Sequence, residues 1–131
     1  MEEIKVDLSA TELYVISELA ERILESADCP MKIQTRLAIV IDEIFGNIVK
    51  YSGADSITVQ AGVDDDRLFE MRFIDNGKPY NPLDAPDPDI EAEFDTRPIG
   101  GLGIFIVKNS MDEVLYDYKN GHNHLTIKKK I

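Results

Sequence analysis

The strands of this chain come in pairs, and no other feature limits its fold so strongly. Residues 112–119 and 123–130 alternate apolar and polar positions around Asn120-Gly121. That dipeptide suits a two-residue hairpin, because both positions need a left-handed backbone. Residues 56–63 (SITVQAGV) and 67–74 (RLFEMRFI) alternate in the same way around Asp64-Asp65-Asp66. This is a second hairpin, with either Leu68 or Phe69 setting the inward parity. Residues 2–8 add a short strand through Ile4, Val6 and Leu8.

Helical periodicity fills the gaps. Ser9 and Glu12 have capping-box spacing, and Leu13, Ile16, Ala20, Ile23 and Ala27 then recur along one helix face, ending near Asp28-Cys29-Pro30. A second helix is expected from Pro30 to about Tyr51, with Leu37, Ile41, Ile44 and Ile48 as its stripe and Ser52-Gly53 as its stop. A third opens in Gly100-Gly101-Leu102-Gly103 and runs to about Ser110. The order β-α-α-β-β-α-β-β predicts an α+β fold, a mostly antiparallel sheet with helices packed on one face.

At 131 residues the chain is read as one domain, spanning 1–131, large enough for a core without disulfides. The single cysteine, Cys29, excludes a disulfide framework. No stretch approaches the length of a membrane helix, and the acidic start, Met1-Glu2-Glu3-Ile4, does not resemble a signal peptide. A cytoplasmic protein with no membrane partner is expected. The net charge of −11 repels phosphate backbones and argues against direct nucleic-acid binding, while steering basic partners inward.

Three local patterns bear on chemistry. Glu43, Asn47 and Lys50 stand at i, i+4 and i+7 on an otherwise apolar helix. Such a set suits a metal-phosphate site: Asn47 offers a neutral oxygen to Mg2+, Glu43 can take a proton from an attacking hydroxyl, and Lys50 can neutralise phosphate. An ordinary solvent-facing stripe would read the same way. Asp75-Asn76-Gly77-Lys78-Pro79 follows directly on an apolar strand. A carboxylate at a strand end can accept from an adenine amino group and refuse guanine, which presents an acceptor there. Gly77 would let backbone approach a base and Pro79 would stiffen the turn; a plain Asp-Asn-Gly turn is the alternative. Last, Arg97-Pro98-Ile99-Gly100-Gly101-Leu102-Gly103 opens a helix, where backbone amides can point at phosphate. It is neither a Rossmann nor a Walker A pattern, and a flexible connector would also account for it. Residues 76–98 hold five of the six prolines, and six of the twelve residues from Asp84 to Asp95 are acidic. This long stretch reads either as a lid over a ligand or as a solvated surface loop.

In this order and spacing the three patterns resemble the gyrase/Hsp90/histidine-kinase/MutL (GHKL) ATPase superfamily over nearly the whole chain. The resemblance implies the superfamily's two-layer α/β sandwich, with Mg-ATP as cofactor under a lid of residues 78–98. Asn47 would bind Mg2+ and Asp75 would read adenine, with Gly77 and Pro79 in the same box. Gly100, Gly101, Leu102 and Gly103 would wrap the phosphates, and Thr126 would lie near the base. The short length, the strand before the first helix and the Gly-Gly-Leu-Gly-Ile-Phe-Ile-Val run resemble the anti-sigma factor/serine-protein kinase family within it. That implies an enzyme with Glu43 as general base, acting on a Ser or Thr of an antagonist protein. It also implies a sigma factor as a second partner and a homodimer. A non-catalytic switch module and a detached histidine-kinase-like domain are the alternatives. Lys50-Tyr51-Ser52 is closer to a histidine-kinase ending of the first box.

Overall fold

A computed structural model describes residues 1–8, 12–84 and 101–131. The strands are β1 (Glu2–Asp7), β2 (Ser56–Val63), β3 (Leu68–Asp75), β4 (Glu113–Lys119) and β5 (His122–Lys130); the helices are α1 (Glu12–Ser26), α2 (Met31–Tyr51) and α3 (Gly101–Ser110). They form one five-stranded sheet in the order β1-β2-β3-β5-β4, every neighbouring pair antiparallel. Both expected hairpins are present, and β3 and β5 join them at the centre of the sheet. The expectation of an α+β sandwich with an antiparallel sheet holds.

Parity follows from period two. Phe69, Met71, Phe73 and Asp75 of β3 are buried, while Leu68, Glu70, Arg72 and Ile74 are partly exposed. Phe69, not Leu68, therefore sets the inward face. Ile57, Val59 and Ala61 of β2 and Leu125 and Ile127 of β5 join Phe69, Met71 and Phe73 in one core with Ile16, Leu24, Leu37, Val40, Ile41 and Val107 of the helices. The stripe of α2 is wider than the four expected residues, since Val40 and Phe45 are buried as well. α2 packs against both α1 and α3.

Turn chemistry sets the ends of the elements. Asn120 and Gly121 take φ of 55° and 77°, the left-handed pair that a tight hairpin requires. In the other hairpin Asp64 Oδ1 accepts from the backbone N–H of Asp66 and Leu68, each at 2.9 Å, and Arg67 takes φ 62°. That left-handed residue belongs to the turn, so β3 begins at Leu68 and not at 67. Arg67 also donates to the carbonyls of Ala27 and Ile131, tying the end of α1 to the end of β5. Asp112 accepts from the Lys130 N–H at 2.6 Å, and this bond, with Lys129 nearby, holds its carboxyl below the usual range. The expected capping residue Ser9 lies outside the described residues.

Phe73→Ala should cost about 3–5 kcal/mol, whereas Ile74→Ala on the outer face should cost roughly 1 kcal/mol; urea denaturation of both variants measures this. Asp112 has a lowered folded-state pKa, so its contribution is present above the unfolded carboxylate value and is lost as pH falls through the folded one. The stability of wild type relative to Asp112→Asn should therefore shrink as pH drops below about 4, as followed by thermal melts across the acid range.

Candidate functional site

The inner face of the sheet carries one polar end. At the last position of β3, Asp75 is 3% exposed, and its Oδ1 accepts from the Gly77 N–H at 2.9 Å and from Asn123 Nδ2 at 3.0 Å. Asn123 pairs with Asp75 across β3 and β5. Its Nδ2 also donates to the Lys78 carbonyl at 2.8 Å, and its Oδ1 accepts from the Tyr80 N–H at 3.0 Å and from the Tyr116 hydroxyl. Burial, with the nearby Asp75 charge adding to it, pushes the Tyr116 phenol up against the opposing Tyr80 N–H.

The turn after Asp75 is pressed onto the end of α2. Lys78 N–H donates to the Ser52 carbonyl at 2.9 Å, and a Cβ built at Gly77 would sit 2.3 Å from that same oxygen. The backbone therefore demands glycine here because of Ser52, a reason the sequence did not show. Pro79 is exposed.

Above Asp75 lies a cavity of about 20 Å³, lined by Asn47, Ile44 and Ile48 of α2, Ile104 of α3, and Tyr80 and Pro82. It has room for about one water. Tyr80 stacks on Tyr51 of α2, with ring centroids 5.1 Å apart, and so walls one side. The Asn47 Nδ2 is buried with no hydrogen-bond partner among the described residues. Buried amides are normally satisfied, so this nitrogen stands out as an unserved donor on a residue that lines the cavity. One turn earlier Glu43 is half-buried and Asp42 exposed, and a Cβ at Gly103 would lie 2.0 Å from Glu43 Oε2. The first turn of α3 thus stands directly against the Glu43 carboxylate.

Asn47 and Asp75 line one cavity, Gly77 is bonded to Asp75, Gly103 stands against Glu43 one turn from Asn47, and Gly101 begins the same helix as Gly103. Lys50 and Leu102 are exposed. Arg97, Gly100 and residues 85–98 of the expected lid lie outside the described residues; of the rest of that lid, Tyr80 and Pro82 wall the cavity. Thr126 is not brought to the site. It pairs with Arg72 and Leu115 and lines an outer-face cleft with Glu70, His124 and Lys128, on the side of the sheet away from the helices. Period two forbids Thr126 from sharing the face of Leu125's inward neighbours. Asn123 stands at that face instead and was missed, although its alternation with Leu125 and Ile127 puts an amide in an apolar row.

The molecule is thus a helix layer on an antiparallel sheet, with a buried carboxylate at a central strand end beside an unpartnered amide nitrogen. Residues 6–129 match the family described as the histidine kinase-like ATPase domain, and the chain belongs to that family. It is 27% identical over 121 residues to the serine/threonine-protein kinase BtrW of Bordetella bronchiseptica, covering 88% of this chain and 80% of that one. Among solved structures it is similar to the RsbU and RsbW domains of Rv1364c from Mycobacterium tuberculosis, with TM-score 0.68 and 14% identity over 99% of this chain. The match spans 32% of that longer chain. The Acinetobacter baumannii histidine kinase AdeS matches with TM-score 0.55 and 15% identity, over 99% of this chain and 68% of that one. These structural likenesses concern the fold. No helix among the described residues is long and apolar enough to cross a membrane.

The two glycines differ in what a methyl would meet. Gly77→Ala runs into fixed backbone and should cost about 1–3 kcal/mol. Gly103→Ala meets only the end of the Glu43 side chain, which can swing away, so it should cost less than about 1 kcal/mol while displacing that carboxylate. Thermal denaturation of the two variants, with Glu43→Ala as background for the second, checks the difference.

Proposed function

We propose that this chain is an ATP-dependent serine/threonine-protein kinase acting as an anti-sigma factor, which phosphorylates an antagonist protein and regulates transcription by partner switching. The unpartnered, buried Asn47 amide, set between Asp75 and Glu43, carries this reading. The donor set fits Mg-ATP: an Asn amide presents an oxygen for a hard cation and an N–H for a phosphate oxygen, and Mg2+ commonly takes few protein ligands when phosphates supply the rest. The name of the Bordetella bronchiseptica relative supports kinase chemistry on Ser or Thr. The RsbW-domain likeness lends the same direction at the level of fold.

Asn47 would hold Mg2+ and a phosphate oxygen. Asp75 would accept from the adenine amino group, and the amides at the start of α3 would cradle phosphate. Lys50 would balance charge at the rim, and the resemblance assigns Arg97, outside the described residues, to the nucleotide as well. Bound Mg-ATP supplies the phosphoryl group and neutralises part of its charge. Glu43 receives the proton of the attacking Ser or Thr hydroxyl, held in place by the first turn of α3. The cavity beside Asp75 holds about one water, so Tyr80 and Pro82 must yield to admit the base. A sigma factor and the antagonist are the partners of this reading, in the cytoplasm. β1 is an edge strand of the sheet and offers a homodimer its free backbone groups.

Calorimetric titration with ATP, ADP and GTP, each with and without Mg2+, tests the site. Adenine-selective, Mg-dependent binding in the micromolar range is expected, and Asn47→Ala should abolish it with the fold intact on circular dichroism. Glu43→Ala should keep ATP binding and lose phosphoryl transfer to the antagonist. Loss of binding in Glu43→Ala would make Glu43 structural, and an acid-labile phosphate on the partner would favour histidine-kinase-like chemistry.

A further inference from the structure

We infer that Asn123 is a specificity-determining positioning residue: its amide locks the Asp75 carboxylate so that only one oxygen, Oδ2, is offered to a nucleobase, and only as an acceptor. This rests on the ATP-binding reading above and deepens it.

The orientation of the Asn123 amide is dictated by its surroundings. Nδ2 faces a carboxylate oxygen and a carbonyl, at 3.0 and 2.8 Å. Oδ1 faces a backbone N–H and a phenol. Turning the amide over would set three acceptors against each other on one side and two N–H groups against a backbone N–H on the other. Both donors and both acceptor sites are thus used. Asn123 is 3% exposed, and an amide so buried and so completely bonded has one rotamer open to it.

The consequence falls on Asp75. Its Oδ1 already takes two N–H donors, from Gly77 and Asn123. Oδ2 accepts no hydrogen bond among the described residues, and Asp75 borders the cavity beside Asn47. With Oδ1 saturated and the carboxylate unable to rotate, a base meets a single fixed acceptor. An exocyclic amine donates to it, and an exocyclic carbonyl confronts it with a second lone pair. Discrimination of that kind is large because the wrong base leaves a buried group unpaired. The Tyr116 hydroxyl and the Tyr80 N–H bond the other end of the same amide and so brace Asn123.

Asn123→Asp keeps the shape and replaces the donor with a second carboxyl 3.0 Å from Asp75. Two carboxylates that close share a proton, which makes one of them a donor able to meet a carbonyl. ATP and GTP affinities should be measured by calorimetry from pH 5.5 to 8.5 for wild type, Asn123→Asp, Asn123→Ala and Tyr116→Phe. The ATP-to-GTP ratio should fall about tenfold or more in the two Asn123 variants, and in Asn123→Asp it should become dependent on pH. Tyr116→Phe should keep the wild-type ratio even where it lowers both affinities.

A merely structural Asn123 would weaken both nucleotides by one common factor at every pH, and that result would overturn the inference while leaving ATP binding in place. Wild type that binds neither nucleotide, or both alike, would overturn the ATP-binding reading and this inference together. A measurement on unmodified protein stands beside the variants in case they do not fold. The Asn123 side-chain amide protons should stay slow to exchange by NMR when ATP is bound; their loss of protection on binding would also refute the lock.

Discussion

The contact between Gly77 and Ser52 is the one on which the site depends. α2 ends at Ser52 with its hydroxyl turned back on the Ile48 carbonyl at 2.7 Å, and Gly53 at φ 67° carries the chain off the helix, as left-handed residues do after helix ends. The free Ser52 carbonyl is then met by the turn that leaves β3. Because no side chain intervenes, backbone lies on backbone, and the last turns of α2 are placed over the last residue of β3. Asn47 and Asp75 face the same cavity as a result. A bulkier residue at 77 would lift the helix from the sheet and part Asn47 from Asp75.

That placement also explains why polar groups survive inside an apolar layer. Burying a carboxylate and an amide is costly unless each is hydrogen-bonded. At the end of β3 the cost is met within a few residues, by Gly77, Asn123, Lys78, Tyr80 and Tyr116. Asn47 is the exception, with one nitrogen unserved. Under the proposed function, that bare nitrogen is the donor a ligand would use. Glu43 fills the place that a side chain at position 103 would take, and this packing sets the position of its carboxylate.

Elements with strong periodicity were legible from residues alone. Both hairpins, α2 with its stop at Ser52-Gly53, and the layer arrangement follow from alternation, helical spacing and turn residues. Boundaries moved where a backbone angle decided them, as at Arg67, whose left-handed φ gives it to the turn. The candidate site was legible in part. Glu43, Asn47 and Asp75 stand out because they are polar residues in apolar rows. Thr126 was singled out only by the family resemblance, yet its neighbours Leu125 and Ile127 already own the inward face and send it outward. The same alternation puts Asn123 on the inward face, but it gave only a faint signal, since a single polar residue after a turn is commonplace.

Local interactions act over a few residues, so the sequence by itself determined what local chemistry can specify: which segments are helices and strands, where they stop, and that strands pair as hairpins. It also held the spacing of Glu43, Asn47 and Asp75. Only the tertiary structure decided how those residues meet. The β3–β5 pairing places Asn123, 48 positions away in the chain, on Asp75; the Gly77–Ser52 contact sets α2 over the sheet; and α3 reaches Glu43 through the empty place at Gly103. Each of these joins segments distant in sequence by close packing, and packing depends on the shapes of both partners, which no single segment contains.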